Sequence, residues 1–443
     1  MIWLYRLLFL PALICSLPYY VWRMWRRGGY RHDFHHRFGL IDRPPPKPPG
    51  VRRIWVQAVS VGEAQALAPL LAQLRRPDRE IVLTTTTSTA YHIVREKYAR
   101  DVLKTGVFPL DFWPFSRNAW RRLDPDLAIL MEAELWPEHL VQARARGVPV
   151  ALINARISDR SFRRYQRFPV VARWMFGHLR LILCATPTDH DRFVALGADP
   201  ARTHLTGSLK SDVPIPALIT SAERIALREE LGFVSAETSS TKNQEPGTKN
   251  SSTPFVILGS STWPGEEAIL IETLHAALAA GLDARLLLVP RHAERRREII
   301  ALLEKQTLPW HARSTAPRTP GPVKIYLGDT TGELLRLTQA ADLAFIGKSL
   351  PPHEGGQTPI EAAALGVPLV FGPNMSNFKD IARALEETGA ARRVEDAPAA
   401  QSTLLAILQD PARRAQMSAA ARAWHAASQG ATQRTAAALA ELL

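Results

Sequence analysis

Short apolar runs alternate with helical stretches along almost the whole chain, and this alternation constrains the fold more than any other feature. Residues 54–59 read as a strand, Ser60-Val61-Gly62 as a turn, and 63–74 as a helix. Residues 81–85, 127–131, 148–153 and 179–183 continue the series, and 255–259, 285–289, 323–326, 343–346 and 368–371 form a second one. Strands separated by helices pair in parallel through right-handed crossovers. The 443 residues therefore predict two doubly wound α/β halves of ordinary domain size. The boundaries read as an N-terminal segment 1–27, a first Rossmann-like domain 28–212, a connector with a polar loop 213–254, and a second Rossmann-like domain 255–443. Within the connector, 235–254 is a low-complexity polar stretch with too little apolar surface to be ordered by burial.

Charge narrows the partners. The formal net charge is +13, and the first 53 residues carry ten basic residues against Asp33 and Asp42. This cluster directly follows the uncharged apolar segment 7–22, which is interrupted by Pro11 and Pro18. That order fits an anionic membrane surface better than nucleic acid. As a helix the segment would reach roughly 24 Å, short of the ~30 Å hydrocarbon core, so it spans only with help from its flanks or lies partly embedded. One arginine precedes it and nine basic residues follow, which places the body of the chain in the cytoplasm. Two cysteines, Cys15 and Cys184, exclude a disulfide scaffold and a four-cysteine zinc site.

In open parallel sheets ligands bind at the carboxyl ends of strands, so a cleft between the two domains is the expected reaction site. Glu63 stands in the first turn of a helix directly after a strand. Its ordinary role would be to complement the helix dipole, and a carboxylate whose pKa is raised by burial can also serve as a general base. Glu132 and Glu134 close the strand 127–131 amid apolar neighbours, so at least one needs a cation, and Lys210 is a candidate. Pro290 and Arg291 end another strand, and a guanidinium there suits phosphate, although the following Arg295, Arg296 and Arg297 also read as a solvated face. The turn Asp329–Glu333 feeds a helix. The loop 347–361 combines two adjacent glycines with Glu361 in a helical first turn. Its Gly-Lys-Ser is not a P-loop, because Asp342 occupies the position of the first glycine. Asp189-His190-Asp191 reads as helix capping, and the run Arg31–Arg37 as part of the basic surface.

In order, VSVGE (59–63), LMEAELWP (130–137), INARI (153–157), TGSLK (206–210), LVPRH (288–292), GDTTGEL (328–334) and GGQTPIE (355–361) cover nearly the whole chain. In these motifs the sequence resembles the 3-deoxy-D-manno-octulosonic acid (Kdo) transferases of lipopolysaccharide assembly. The resemblance implies the GT-B fold, two Rossmann-like domains facing a central cleft, with an N-terminal membrane-anchor helix. It also implies inverting transfer of Kdo from a CMP-Kdo donor to a lipid A precursor of the lipid IVA type, at the cytoplasmic side of the inner membrane and with neither metal nor cofactor. Carried over by motif position, Glu63 looks like the catalytic base, and Glu132 and Lys210 like groups that stabilise the transition state. Pro290, Arg291, Gly332, Glu333, Leu334, Thr358, Pro359, Ile360 and Glu361 look like the CMP site. The chain departs from the family in the last loop, with Gln357-Thr358 in place of the usual His-Asn and Lys348 in place of a second glycine. Two other readings remain open at this stage: a GT-B transferase or epimerase using a UDP-sugar, and a membrane-tethered binding module without turnover.

Overall fold

The computed structural model describes residues 1–26, 32–234 and 254–443, so most of the polar loop 235–254 and the basic residues Arg27 and Arg31 lie outside the described residues. The chain divides into two compact units, 1–214 with 428–443, and 215–427.

The first unit is built on seven parallel strands: β1 (Arg52–Ala58), β2 (Arg79–Thr85), β3 (Lys104–Val107), β4 (Leu127–Met131), β5 (Val150–Ala155), β6 (Leu181–Cys184) and β7 (Thr203–Leu205), in the spatial order 3-2-1-4-5-6-7. The order reverses between β1 and β4, where Ile54 faces Leu127 and Val56 faces Ile129. The second unit repeats the design with β8 (Phe255–Thr262), β9 (Ala284–Pro290), β10 (Trp310–Ala312), β11 (Ile325–Leu327), β12 (Leu343–Ile346), β13 (Leu369–Phe371) and β14 (Ala391–Arg393), ordered 10-11-9-8-12-13-14. Its reversal lies between β8 and β12. Central strands such as β4, β6 and β12 are buried at every position, which is why they read as uninterrupted apolar runs. At such a reversal the two neighbouring crossovers diverge to opposite faces and leave a crevice beyond the strand ends.

Two boundaries differ from the sequence expectation. Residues 215–234, expected in the connector, belong to the second unit: the helix Ser221–Glu230 buries Leu227, and Leu231 and Phe233 follow it into the same core. Arg228 on that helix is buried and bonds Asp342 at 2.7 Å and the carbonyl of Ala340. The end of the chain, expected in the second domain, folds back on the first unit. Helix Ala431–Ala440 packs against helix Val61–Leu74, with Leu439 in one apolar cluster with Leu67 and Leu71. A polar Ala/Thr/Gln-rich helix carries no sequence mark of which sheet it will cover.

This return has a consequence for chemistry. Asp212 accepts the N–H groups of Gly430 (2.9 Å) and Thr432, and Arg434 donates to the Thr206 carbonyl at 2.9 Å. The terminal helix therefore braces the segment that carries Lys210. Leu439→Ala should destabilise the first unit by about 2–5 kcal/mol, the usual range for a truncated buried leucine. Urea unfolding followed by tryptophan fluorescence should show the transition of that unit moving while the transition of the second stays in place.

Candidate functional site

At the reversal of the first sheet, the residues after β1 and β4 supply a cluster of acids. Ser60 caps helix Val61–Leu74 by accepting the Glu63 N–H at 3.3 Å. The Glu63 carboxylate folds back, with Oε2 accepting the Val59 N–H and Oε1 the Ser60 hydroxyl, each at 2.8 Å. Glu63 thus stands in the first helical turn, where its ordinary reading as a complement to the helix dipole placed it. The Val59 and Ser60 bonds engage each oxygen once, and a carboxylate oxygen has two lone pairs. Burial, followed by the charge of Glu132, raises the Glu63 pKa, while the Val59 and Ser60 bonds and the charge of Lys210 pull the other way.

Glu132 follows β4 in the left-handed region, φ 56°, with its N–H bonded to Ile153. Its Oε1 accepts Lys210 Nζ at 2.7 Å and the Asn154 amide at 3.3 Å. Asn154 is fully buried at the end of β5, also left-handed, and its side-chain oxygen accepts the Leu209 N–H at 3.1 Å. One asparagine therefore ties the ends of β4 and β5 to the Lys210 segment. The expected pairing of Lys210 with an acid of the 130–137 motif is present. Glu134, two residues on, is pushed up to about 7 by burial and by the charge of Glu63. Glu63, Glu132 and Lys210, distant in sequence, are brought together, and Glu134 joins them.

The second unit groups its own strand ends. Pro290 closes β9, Arg291 is exposed, and the Arg291 charge acts on Glu361. Thr358 donates to Glu361 at 2.7 Å and accepts the Ile360 N–H at 3.3 Å, just before helix Ile360–Ala364. Desolvation raises the Glu361 pKa. Pro359 and Ile360 are buried. Gly332 is exposed in the left-handed region, and Leu334 opens helix Leu334–Thr338. The Glu333 carboxylate is held by the Arg313 guanidinium and the Thr330 hydroxyl, which lowers its pKa.

Two residues with structural weight escaped the sequence reading. Arg313, almost fully buried, bonds Glu333, Glu230 and the Tyr326 hydroxyl. Glu266, in the first turn after β8, accepts the N–H groups of Trp263 (2.9 Å), Lys348 (2.9 Å) and Ser349 (3.1 Å). It pins the loop after β12 to the helix after β8. The signal was a Gly-Glu pair at a helix start, the same pattern that singled out Glu63. Gly347 in this loop is required sterically, because a Cβ there would lie 2.2 Å from the Ser261 carbonyl oxygen.

At the helix start where Asp189 was expected to cap, Thr186 is the cap, accepting the Asp189 N–H at 3.1 Å, and the Asp189 carboxylate supports it by accepting the Thr186 hydroxyl at 2.6 Å and the Ile157 N–H at 2.8 Å. The histidine run is corrected. His36 is buried rather than part of a basic surface, its Nδ1 accepts the Val107 N–H, and burial lowers its pKa to about 4. Asp33, His35 and His36 bring potential metal-ligand atoms within 4.8 Å of one another. The Asp33 carboxylate accepts the Tyr91 hydroxyl, so two of the three are already built into the fold.

Comparison with known proteins gives a consistent picture. Residues 32–213 match the sequence pattern of the family described as 3-deoxy-D-manno-octulosonic-acid transferase (kdotransferase). A 3-deoxy-D-manno-octulosonic acid transferase of Bordetella pertussis is 37% identical over 426 residues, covering 94% of each chain. The transferase of that name from Haemophilus influenzae is 31% identical over 432 residues, covering 97% of this chain and 93% of the relative. Among solved structures, UDP-GlcNAc 2-epimerase from Neisseria meningitidis aligns with a TM-score of 0.55 at 12% identity, over 88% of this chain and 100% of that one. At that identity the likeness speaks for the fold, which is of the GT-B type.

The raised pKa of Glu134 has a consequence for stability. Between its ordinary value of 4.5 and about 7 the folded state binds more protons than the unfolded one. The contribution of Glu134 to stability is therefore full below pH 4.5 and lost as the pH rises through 7. Glu134→Gln should stabilise the first unit at pH 8 by on the order of 1 kcal/mol, allowing for partial solvent screening, and change little at pH 4. Urea titrations at the two pH values measure it.

Proposed function

The chain belongs to the 3-deoxy-D-manno-octulosonic acid (Kdo) transferase family, and from that premise we propose that it transfers Kdo from CMP-Kdo to a lipid A precursor at the cytoplasmic face of the inner membrane, with Glu63 as the general base. One observation carries the assignment of the base: Glu63 is a carboxylate with a raised pKa, at a sheet reversal, beside a separate Glu132–Lys210 ion pair.

In the proposed step Glu63 takes the proton of an acceptor hydroxyl as that oxygen bonds to the anomeric carbon of Kdo. The bond from that carbon to the phosphate oxygen breaks on the opposite face and its electron pair leaves with CMP, so the anomeric centre inverts. A carboxylate left at an ordinary carboxylate pKa would be a weaker acceptor for this proton. Lys210, oriented by Glu132, is placed to favour negative charge on the reacting sugar acid. The second unit supplies the donor contacts. Arg291 offers a planar fork for phosphate, and the main chain at 332–334 and 358–361 meets the nucleotide, with Thr358 and Glu361 as polar side chains. Because the Glu333 carboxylate is committed to Arg313, its contact with CMP is assigned to the backbone. The basic N-terminal segment and the exposed apolar helix before it support attachment to an anionic membrane, where the acceptor resides.

Mass spectrometry of a lipid A precursor after incubation with CMP-Kdo should show increments of one or more Kdo units. An unchanged acceptor mass with active-site-intact protein would refute the activity. Glu63→Gln should lower turnover at least a hundredfold while CMP-Kdo still binds in calorimetry, in line with general-base contributions of about 10²–10⁴. Lys210 holds the Glu63 pKa down, so Lys210→Met should move the acidic limb of the pH–rate profile to higher pH as well as slow the reaction.

A further inference from the structure

Helix Ile2–Arg26 contains 21 consecutive residues, Ile2–Trp22, long and apolar enough to cross a bilayer and not buried in the protein. At 1.5 Å per residue that stretch reaches roughly 31 Å, matching a hydrocarbon core of ~30 Å. A single crossing is therefore possible by length, and contacts decide whether it occurs.

Those contacts lie at the wrong end for a crossing. Arg6 donates to both oxygens of Glu138, from Nε at 2.8 Å and Nη2 at 2.9 Å, and Glu138 is fully buried in the first unit. Tyr5 donates its hydroxyl to Asp111 at 2.6 Å. Asp111 is itself buried and accepts the N–H groups of Glu138 (3.2 Å) and His139 (3.0 Å), so it caps helix Pro137–Ala145. Phe9 stacks on Phe112 at 5.5 Å, and the Arg6 guanidinium lies 5.5 Å from the centre of the Trp113 ring. Two buried carboxylates of the first unit thus depend on the opening turns of this helix, and a buried acid stripped of its partner is strongly unfavourable.

The chain also comes back to the same place. Phe38 meets Phe115 edge-on at 5.2 Å, and the Gly39 carbonyl accepts the Asn118 amide at 3.0 Å. Phe112 and Phe115 sit one turn apart at the start of helix Trp113–Leu123. The described chain thus contacts the first unit at Tyr5, Arg6 and Phe9 and again from Asp33 onward, with Phe9 and Phe38 meeting the neighbouring rings Phe112 and Phe115. In a single crossing with the first unit after Trp22, Arg6 would lie about 24 Å from Trp22 along the helix axis, in the far half of the bilayer, where Glu138 could not follow.

We infer that the apolar N-terminal helix is monotopic, with Tyr5 and Arg6 clamped to the first unit, so that the amino terminus stays on the same side of the membrane as the catalytic body and the exposed face enters one leaflet only. That face presents Trp3, Leu4, Leu7, Leu8 and Ile14, each more than half exposed. Its occupant is a phospholipid leaflet with an anionic surface, argued from the apolar face and the basic residues that follow it. The inference rests on the membrane attachment put forward above, and the test separates the two.

The full chain with Cys15→Ser leaves only Cys184, which is buried. Ile2→Cys and, as a marker for the body, Arg100→Cys are each added to it and probed with a membrane-impermeant maleimide in spheroplasts and in inverted inner-membrane vesicles. Both positions should label in inverted vesicles and neither in spheroplasts. Labelling of Ile2→Cys in spheroplasts, or from neither face until detergent is added, overturns the clamp. Recovery of the protein in the supernatant after sedimenting membranes at low salt overturns the attachment itself.

Discussion

Charge taken out of water without a partner is unfavourable, and the first unit gathers three acids at one sheet reversal around one ammonium. Lys210 sits 2.7 Å from Glu132, while burial and the charge of Glu132 raise Glu63, and burial and the charge of Glu63 raise Glu134. The result is a division of labour among residues of one chemical type. One carboxylate stays paired, and two are held where they exchange protons at higher pH than a surface acid would. Environments that push like groups apart in this way separate acid and base roles in enzymes generally. The arrangement depends on backbone geometry as much as on charge. Glu132 and Asn154 are both left-handed, which turns the ends of β4 and β5 toward the Lys210 segment rather than along their strands.

Each unit begins its sheet with the same local device, a central strand followed by Gly-Glu at a helix start, and puts it to a different use. Glu266 has main-chain donors on both oxygens, from Trp263 and Lys348 on one and Ser349 on the other. Its burial raises its pKa, those bonds oppose the rise, and its capacity is spent holding a loop. Glu63 takes one donor on each oxygen and shares its surroundings with Glu132, Glu134 and Lys210. Sequence position is the same for both; the neighbours decide which acid is structural and which is available to a proton.

The interior of both sheets was legible because burial on two faces demands apolar runs. The expected strands at 127–131 and 343–346 match β4 and β12 residue for residue, and the other central strands are offset by a few residues. All four strands that escaped detection, β3, β7, β10 and β14, are the edges of their sheets. Thr203–Leu205 buries one residue of three and Ala391–Arg393 likewise, so the apolar signal is absent where one side of the ladder is open. At the site, Glu63, Glu132 and Lys210 were legible as polar residues placed after strands. Glu134 is legible as a second acid after the same strand and its coupling to Glu63 is not, since adjacency across β1 and β4 is a property of strand order. Arg313 was invisible, because a lone arginine after a three-residue edge strand gives no periodic signal. The terminal helix was legible as a helix, and its attachment to the first unit was not, because its contacts with Asp212 and Thr206 span more than two hundred residues.

The departures in the loop after β12 show which family positions are constrained and by what. Gly347 is fixed by contact with the Ser261 carbonyl, so no side chain fits there. Lys348, at φ 60°, is constrained only by backbone conformation. A side chain in that region costs on the order of 1 kcal/mol or more, and surrounding structure must hold it. Here the Lys348 N–H bonds Glu266, its carbonyl accepts the Gly356 N–H at 3.0 Å, and its ammonium lies 4.5 Å from the centre of the Trp263 ring. A glycine at this point would relieve strain and contribute no charge. The lysine follows the same backbone path and adds a cation near Trp263, which also touches His292, the neighbour of Arg291. The main-chain contacts of the loop therefore accommodate a lysine at this position.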